Sequence, residues 1–389
     1  MSAGAPPPSR WRTVGVAVAV VAVVLGGWQR WVAVERLPPD FDELIYLPAA
    51  YRYAERMAPG RWSEMLEVRE NPEHPPLVKM VFGVAVRGTP EPTWDALRVG
   101  RPLPEAARPA FLAARWASWL AGLAQLVVVA AVAPLGALIL AVEPYHAKYT
   151  AQAYLEAIPG LFALLAVVLF ERCAARRDRP FLKRPELWWS AVALGVATAG
   201  KYPYGLVIGL AVAPFLVANA PRQGWLWVAY GEVAGIAFAL ADPFLWPDPA
   251  RRLLDSVGFH WGYSHSPHVV RAGMPWYQSL WYLTHAEPMR WHPGIFATGV
   301  TAWVLLPLAV IGAPAAARRR PLWAAWGAVG MLFLFAWPTK WPQYLLLVLP
   351  ALCVCAAHAP EAVVEGYRWI RARRASASQG DAARPAPGP

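Results

Sequence analysis

The sequence predicts an all-α protein that crosses a membrane about ten times, and three observations lead to this fold class. Apolar residues make up 57% of the 389 residues and only 16% are charged, whereas a soluble chain typically carries about 25% charge. Tryptophan occurs 22 times, as in proteins with an aromatic belt at each membrane interface. The apolar residues gather in stretches of about 20, the length that crosses a bilayer as a helix.

The first predicted span follows Arg10 and Arg12. No small-residue cleavage site is clear after it, so we expect an uncleaved span rather than a secretory signal. The third span is the weakest prediction, because it is short and contains Pro134 and Pro144. The ten predicted spans are roughly 13–34, 109–131, 133–150, 153–171, 187–202, 203–219, 225–241, 297–316, 321–337 and 342–358.

Basic residues are concentrated in alternate turns. They occur in "RCAARRDRPFLKRPE" (172–186), "APRQG" (220–224), "ARRR" (317–320) and "RWIRARR" (368–374), whereas the short turns between carry isolated lysines. By the positive-inside rule this predicts a multi-pass protein of the plasma (inner) membrane with both termini in the cytoplasm. The same distribution explains the net charge of +11 without a nucleic-acid partner, for which no motif is present.

Two segments, about 35–108 and 242–296, are too polar to span and are rich in Pro, Trp and charge. We expect them to form outer loops of short helices that cover the outer face. Residues 1–374 then make a single transmembrane domain. The tail 375–389, which contains "SASQGDAARPAPGP", is predicted to be disordered.

The stretch "LPPDFDELIYLPAAY" (37–51) places three carboxylates at the mouth of the first span. Asp40 and Glu43 have the spacing of a capping box at a helix start. Capping leaves Asp42 without a structural role, and Asp42 shares a helix face with Tyr46 four residues later. Because an ionisable group close to the membrane is a functional-site candidate, we expect Asp42 to be an active carboxylate.

The stretch "ENPEHPPLVKMVFG" (70–83) places Lys79 near the start of a helix that paired prolines precede. A lysine there suits an anionic ligand, because backbone N–H groups and the ammonium converge on it. An interfacial lysine that reaches lipid headgroups has the same pattern. The same two alternatives stand for Lys201 and Lys340, which also lie at predicted outer helix ends.

The order of these stretches resembles a known family. Asp-Glu-x-x-Tyr ("DELIY", 42–46) followed by "HPPLVK" (74–79) is similar to the GT-C membrane glycosyltransferases, in particular the protein O-mannosyltransferases and their bacterial relatives, including the lipid A aminoarabinose transferases. The resemblance covers about residues 10–360. It extends to "EPYHAKYTAQAYLEAIPGLFALL", "TAGKYPYGL", "DPFLWPDPARRLLDSVGFHWGY" and "KWPQYLLLVLPAL".

The resemblance implies an enzyme that moves a sugar from a polyprenyl phosphate to an acceptor hydroxyl on the outer face, generally with inversion. The acceptor would be a lipid, a glycan or a protein. The family's acidic pair falls on Asp42 and Glu43, the predicted catalytic residues. Its phosphate-binding lysine falls on Lys79, and its second acid falls on Glu156.

The chemistry of such a transfer needs few groups. A carboxylate general base, here Asp42, activates the acceptor hydroxyl. Cations neutralise the departing phosphate, and Lys79, Lys201 and Lys340 are the predicted donor-phosphate ligands. Side chains close to these groups are expected to bind sugar or acceptor, and they are Tyr46, His74, Glu156 and His260.

The loop "GFHWGYSHSPH" contains three histidines, His260, His265 and His268. A divalent metal is compatible with them, but their spacing matches no metal-site signature. We therefore expect no metal and no cofactor. The aromatic residues of this region would stack on sugar rings or form an interfacial belt, and they are Trp261, Tyr263, Trp276 and Tyr277.

Two other classes of function compete with this reading. A transporter or lipid flippase should place charges near the membrane midplane, often in repeated halves, whereas here they gather at the outer helix ends. If the protein were a scaffold, the order of the two motifs would be a coincidence. The enzyme reading predicts that Asp42 and Lys79 line one cavity large enough for a sugar phosphate.

Overall fold

A computed structural model describes residues 9–176, 178–296 and 299–382. Within these residues the regular elements are helices, and the predicted all-α class is confirmed. The helices are α1 (Ser9–Arg36), α2 (Glu43–Arg56), α3 (Trp62–Met65), α4 (Leu77–Val86), α5 (Arg108–Val132), α6 (Pro134–Val142), α7 (Pro144–Tyr149), α8 (Ala157–Ala175), α9 (Pro185–Gly200), α10 (Tyr202–Asn219), α11 (Gly224–Ala241), α12 (Pro249–Ser264), α13 (Pro267–Ala272), α14 (Gln278–Thr284), α15 (Glu287–Trp291), α16 (Val300–Arg319), α17 (Pro321–Ala336), α18 (Leu349–Ala357) and α19 (Ala359–Ala382).

Six helices of the described chain are long and apolar enough to cross a membrane. They are α1 from Thr13, α5, α8, α10, α11 and α16 from Thr301. α4 and α17 are shorter apolar helices. The third predicted span is divided between α6 and α7, and the tenth consists of a 3-10 segment, Pro342–Leu347, followed by α18. The protein is therefore polytopic, and a total of ten spans stays a prediction.

The break between α6 and α7 lies at Glu143, whose carboxylate accepts a hydrogen bond from His146 N (2.6 Å). Pro144 follows and cannot donate a backbone hydrogen bond, so the helix cannot continue through it. Backbone groups freed inside a membrane must find partners in the protein. The buried Arg30 of α1 supplies them.

The guanidinium of Arg30 is fully buried and donates to the carbonyls of Ala141 (3.0 Å) and Leu140 (3.1 Å). It also donates to Thr150 Oγ1 (2.9 Å) and lies 2.6 Å from His146 Nδ1. These contacts attach α1 to both sides of the break. The first span is thus held to the third predicted span by a charged side chain as well as by packing.

Close packing connects the central helices, with α9 in contact with both α8 and α11. Gly195 of α9 approaches the backbone of α11 so closely that a Cβ would lie 2.2 Å from Ala234 O. Small residues at such crossings let helix backbones meet in a membrane, where packing rather than the hydrophobic effect drives association. The central helices therefore form a closely packed base for the segments that connect them.

The two predicted outer loops, described over residues 37–107 and 242–296, meet at one end of the bundle, and together they are called the cap. A stripe of three α12 residues spaced by four makes the contact. Arg252 donates to Leu66 O (2.6 Å), Ser256 donates to Glu73 O (2.6 Å), and the ring of His260 lies 5.1 Å from that of His74. We call Arg252, Ser256 and His260 the α12 stripe.

The opposite end of the bundle is basic. Arg320, after α16, donates to Glu171 near the end of α8 (2.8 Å), so the turn after α8 lies at this end too. α19 begins here and runs to Ala382, within the tail predicted to be disordered from residue 375. The remaining tail residues, 383–389, lie outside the described residues.

Candidate active site

A cavity with two adjoining lobes lies between the cap and the bundle. The polar lobe has a volume of about 480 Å³ and is lined by Asp42, Tyr46, Asn71, Glu73 and Gln343 among others. The second lobe, of about 460 Å³, is lined mostly by apolar side chains of α10, α12 and α17, including Leu206, Val257, Trp261 and Phe333. Five side chains line both lobes, and they are His74, Lys201, His260, Tyr263 and Tyr344.

Asp42 is the first residue before α2 and does not cap that helix with its side chain. Its Oδ2 instead accepts hydrogen bonds from Gln343 Nε2 (3.1 Å) and Tyr46 Oη (3.3 Å). Burial, followed by the neighbouring charge of Glu156, raises the pKa of Asp42 to about 7. A carboxyl that lines a polar cavity and titrates near neutral pH has the properties of a general base.

Lys201, between α9 and α10, is the cation of the cavity. Its ammonium forms an ion pair with Glu156 and lies 4.8 Å from the centre of the Tyr344 ring. The second carboxylate oxygen of Glu156 is buried without a hydrogen-bond partner. The site therefore holds a buried positive charge whose counter-ion is incompletely bonded.

Glu43, predicted to be catalytic, does not line the cavity. Its side chain is fully buried, and both oxygens accept from the Arg115 guanidinium at 2.7 Å. It also accepts from Ala153 N (2.9 Å) and from Asp40 N (3.1 Å). Glu43 therefore holds the start of α2 against α5 and the segment before α8. Only the second half of the expected capping box is present.

Asp40 has a different partner from the one that capping predicts. Its carboxylate forms an ion pair with the buried Lys148 and accepts from Phe41 N (2.8 Å). The Lys148 ammonium also lies 4.1 Å from the ring centre of Tyr149. Asp40 and Glu43 thus fix the backbone on either side of Asp42, and Asp42 is the carboxylate left for the cavity.

The prediction that Lys79 and Asp42 face one cavity needs correction. The Lys79 ammonium donates to Asn71 O and to His74 O (2.9 Å), and Lys79 lines neither lobe. Asn71 adopts a left-handed backbone conformation, with φ of 55°, and the bonds from Lys79 hold this turn in place. Lys79 therefore supports the loop that carries Asn71 and His74 into the cavity, and Lys201 supplies the charge there.

Lys340 lines neither lobe, although its neighbours Thr339 and Trp341 do. Its ammonium donates to Leu334 O (3.0 Å), Phe335 O (3.0 Å) and Trp337 O (2.5 Å). These carbonyls end α17, where a helix leaves acceptors without partners and a cation is favourable. The side chain is placed to stabilise a helix end, which differs from both alternatives that the sequence left open.

Three predicted contact residues do line the cavity. The ring of Tyr46 packs edge-on against that of His74, with 6.1 Å between centres, and His74 in turn packs against His260. Burial and the nearby charge of Lys201 lower the pKa of both histidines, and that of His74 lies well below its usual value. Both rings are therefore neutral at physiological pH, and they form a wall between the two lobes.

The remaining aromatic and histidine candidates divide into two groups. Trp261, Tyr263 and His268 line the cavity, and the ring of His268 stacks on Trp341 at 5.4 Å. His265, Trp276 and Tyr277 lie outside both lobes. Among the residues that the structure describes, three or more His, Cys, Asp or Glu side chains do not come together as metal ligands.

Sequence reasoning missed Gln343. It is a neutral amide inside an apolar stretch, so neither charge nor periodicity marks it. Pro338 and Pro342 precede Gln343 in the sequence. Prolines at these positions indicate that the preceding helix ends, because the residue before a proline disfavours helical geometry. The available signal was the position of this amide within the predicted span 342–358, because a polar side chain inside a membrane needs a hydrogen-bond partner.

Comparison with known proteins finds one family profile and solved structures of similar fold. The sequence profile of the dolichyl-phosphate-mannose-protein mannosyltransferases matches residues 51–242, a region that begins after Asp42 and includes "HPPLVK". The crystal structure of ArnT from Cupriavidus metallidurans bound to undecaprenyl phosphate has a similar fold, with a TM-score of 0.59 and 17% sequence identity. The resemblance to the GT-C membrane glycosyltransferases is confirmed.

The structural match to ArnT covers 98% of this chain and 67% of that chain. The apo structure of ArnT from the same organism gives a TM-score of 0.57 at 18% identity, over 90% of this chain and 59% of the other. No curated protein matches by sequence. Together, the sequence profile and the shared fold support a membrane glycosyltransferase of the GT-C type.

Proposed function

We propose that this protein transfers a sugar from a polyprenyl-phosphate donor to an acceptor hydroxyl, with inversion at the anomeric carbon. The observation that carries this proposal is the junction of the two lobes at Lys201. An amphiphilic donor needs a polar space for its sugar, an apolar space for its isoprenoid chain, and a cation for the phosphate between them. The cavity has a polar lobe and an apolar lobe, and Lys201 lies where they join.

The donor would place its isoprenoid chain between α10, α12 and α17, where Leu206, Val257 and Phe333 face the apolar lobe. Its sugar would lie in the polar lobe beside Asp42 and Asn71. The neutral rings of His74 and His260 separate the two spaces. Neutral imidazoles donate and accept hydrogen bonds without adding a second charge, which suits contact with sugar hydroxyls.

Lys201 would bind the donor phosphate. Charge that develops on the leaving phosphate is stabilised best by a cation already in position. The phosphate would compete with Glu156 for the Lys201 ammonium, and the released carboxylate would face an incoming hydroxyl. We propose that Glu156 binds sugar or acceptor in this state. Lys79, the phosphate ligand that the family resemblance implies, would act here through the Asn71–His74 turn.

Asp42 would act as the general base. The acceptor oxygen attacks the anomeric carbon while its proton passes to Asp42, and the bond from the anomeric carbon to the phosphate oxygen breaks with its electrons on the phosphate. Polyprenyl phosphate leaves, so no strong general acid is needed. Base and leaving group lie on opposite sides of the sugar in such a displacement, which inverts the anomeric centre.

We place this reaction on the outer face of the plasma (inner) membrane. The distribution of basic turns supports that orientation, with the cap outside and both termini in the cytoplasm. The acceptor would be a lipid, a glycan or a protein that presents a hydroxyl to the polar lobe. Exposed Phe41 and Phe259 line that lobe and would contact it first.

The test uses the full chain in sealed proteoliposomes with a panel of polyprenyl-phosphate sugars and candidate acceptors, and mass spectrometry follows the release of polyprenyl phosphate. Asp42→Asn should abolish transfer in a folded protein. Asp95→Asn, which removes the same charge from an exposed part of the cap, should leave transfer unchanged. Full turnover by Asp42→Asn would exclude this base, and movement of an intact donor across the bilayer without sugar transfer would favour the flippase alternative.

A further inference from the structure

The last helix, α19, is attached to the bundle by one face. Glu361 of α19 forms an ion pair with Arg319 (2.5 Å), and Glu365, one turn later, forms an ion pair with Arg318. Both arginines end α16, at the basic end of the bundle. Residues four apart share a helix face, so these two pairs determine which side of α19 is turned towards α16.

The other side of α19 presents an apolar stripe. Val363, Tyr367 and Ile370 are spaced by four and three, and their exposed fractions are 59%, 65% and 47%. Such spacing places them along one line on a helix. Val363 borders a groove that it shares with Ile311 and Pro314 of α16, and within the described part of the chain all three side chains of the stripe stay about half exposed or more. An apolar face of this length is unfavourable in water and calls for a partner.

Two arginines flank the stripe, Arg371 on one side and Arg373 on the other, and Arg368 lies on the side of the helix that carries Glu365. Arg368, Arg371 and Arg373 are exposed, and the guanidinium of Arg373 lies 4.3 Å from the centre of the Trp369 ring. No acidic residue occurs between Glu365 and Asp381 in the sequence. The uncovered face of α19 is therefore apolar in its centre and positive at its edges. A complementary surface would have an apolar interior and negative charges along its border.

We propose that α19 lies in the plane of the membrane and binds anionic lipid headgroups. The apolar stripe would enter the boundary between headgroups and acyl chains, as amphipathic interfacial helices do. The arginines would contact lipid phosphates, because juxtamembrane basic residues are attracted to anionic leaflets. The helix begins at the membrane boundary already, since it follows α18 directly and pairs with the end of α16. This inference is independent of the glycosyltransferase activity.

The test compares full-length protein in nanodiscs of phosphatidylcholine alone with nanodiscs that also contain phosphatidylglycerol. Hydrogen exchange in peptides that cover residues 359–373 is followed by mass spectrometry. We expect exchange to be about tenfold slower in the anionic discs, because each basic residue contributes to the attraction. A triple variant, Arg368→Gln, Arg371→Gln and Arg373→Gln, should lose this difference while peptides of the central helices stay unchanged.

A matched control removes three arginines from the cap instead, with Arg251→Gln, Arg271→Gln and Arg290→Gln. All three are exposed, and the net charge of the two variants is equal. This control should retain the slow exchange of α19 in anionic discs. Equal exchange of α19 in both lipids for the unchanged protein would overturn the proposal. A second outcome would also overturn the proposal. If exchange of α19 in detergent is slow only in samples that light scattering shows to be dimeric, a second copy of the chain covers the stripe.

Discussion

Gln343 donates a hydrogen bond to Asp42 across 301 positions of the chain, at 3.1 Å. The bond joins the start of the cap to the segment between α17 and α18. Asp42 therefore takes its position from both ends of the chain, with Tyr46 as its local partner. A carboxylate held from two sides can keep its geometry when a ligand enters, and the general base proposed here would need this property.

The first prediction concerns pH. Asp42 has its pKa raised to about 7, first by burial and then by Glu156, and it accepts a proton only when ionised. Lowering the pH protonates it, so turnover should fall on the acid side and level off above neutral pH. At pH 6 about one tenth of Asp42 would be ionised, and turnover should drop roughly tenfold. Undecaprenyl phosphate binding, measured at each pH, is the control, and a flat turnover profile would contradict the prediction.

The second prediction separates two lysines. Lys201→Gln should weaken the binding of undecaprenyl phosphate by about 10–100-fold, because a hydrogen bond to a charged group contributes about 1.5–3 kcal/mol. Lys340→Gln should lower the melting temperature and leave binding unchanged, since its ammonium bonds only carbonyls at the end of α17. Isothermal titration and thermal unfolding make the comparison.

Weaker binding in Lys201→Gln could also arise from destabilisation of the protein, because this substitution leaves Glu156 buried without a counter-ion. This second cause must be excluded. The double variant Lys201→Gln, Glu156→Gln removes both charges and should recover much of the stability. Its binding should stay weak. Recovery of binding together with stability would show that Lys201 acts only through Glu156.

The third prediction concerns Glu43 and Arg115. Glu43→Leu should destabilise the protein by about 3–5 kcal/mol, because it leaves a buried arginine uncompensated. The pair Glu43→Leu, Arg115→Met should recover most of this loss, as apolar replacement of a buried ion pair often does. Unfolding by denaturant in detergent measures both. A Glu43→Leu protein with unchanged stability and no turnover would instead assign Glu43 to the chemistry.

The fourth prediction concerns the α12 stripe. Ser256→Ala removes the hydrogen bond to Glu73 O and should cost about 1 kcal/mol. Amide exchange in α12 should then be about fivefold faster, because the helix detaches locally from the first half of the cap. Asp255→Asn, at the exposed neighbouring position, is the control. Unchanged exchange in Ser256→Ala would show that Arg252 and His260 hold α12 without it.

Hydropathy and charge were sufficient to predict the all-α, polytopic class. The free energy of transfer into a bilayer is summed over about 20 residues and depends little on any one of them, so the predicted spans for α1, α5, α10 and α11 lie close to the observed bounds. The broken segments were harder. Pro134 and Pro144 indicated a weak third span, but the sequence does not reveal that Arg30 satisfies the backbone at its break.

The candidate site was predictable in part. Asp42, Tyr46, His74 and His260 share one end of the bundle and one cavity, as the one-sided placement of polar residues suggested. Lysines were harder to assign, because a sequence shows the helix end at which a lysine lies but not which carbonyls its ammonium meets. Lys79 and Lys340 bond backbone oxygens, whereas Lys201 meets a carboxylate and the cavity.

The Arg30 contacts have a consequence for how the protein is made. The first span carries a buried guanidinium whose partners, from Leu140 to Thr150, are synthesised more than a hundred residues later. Until they arrive, the helix holds a charge in its last two turns, at a cost below the roughly 2.5–3.5 kcal/mol of an arginine at a helix centre. We expect the translocon or a chaperone to retain the early helices until α6 and α7 emerge. Biogenesis of this bundle would then be cooperative across its first half rather than helix by helix.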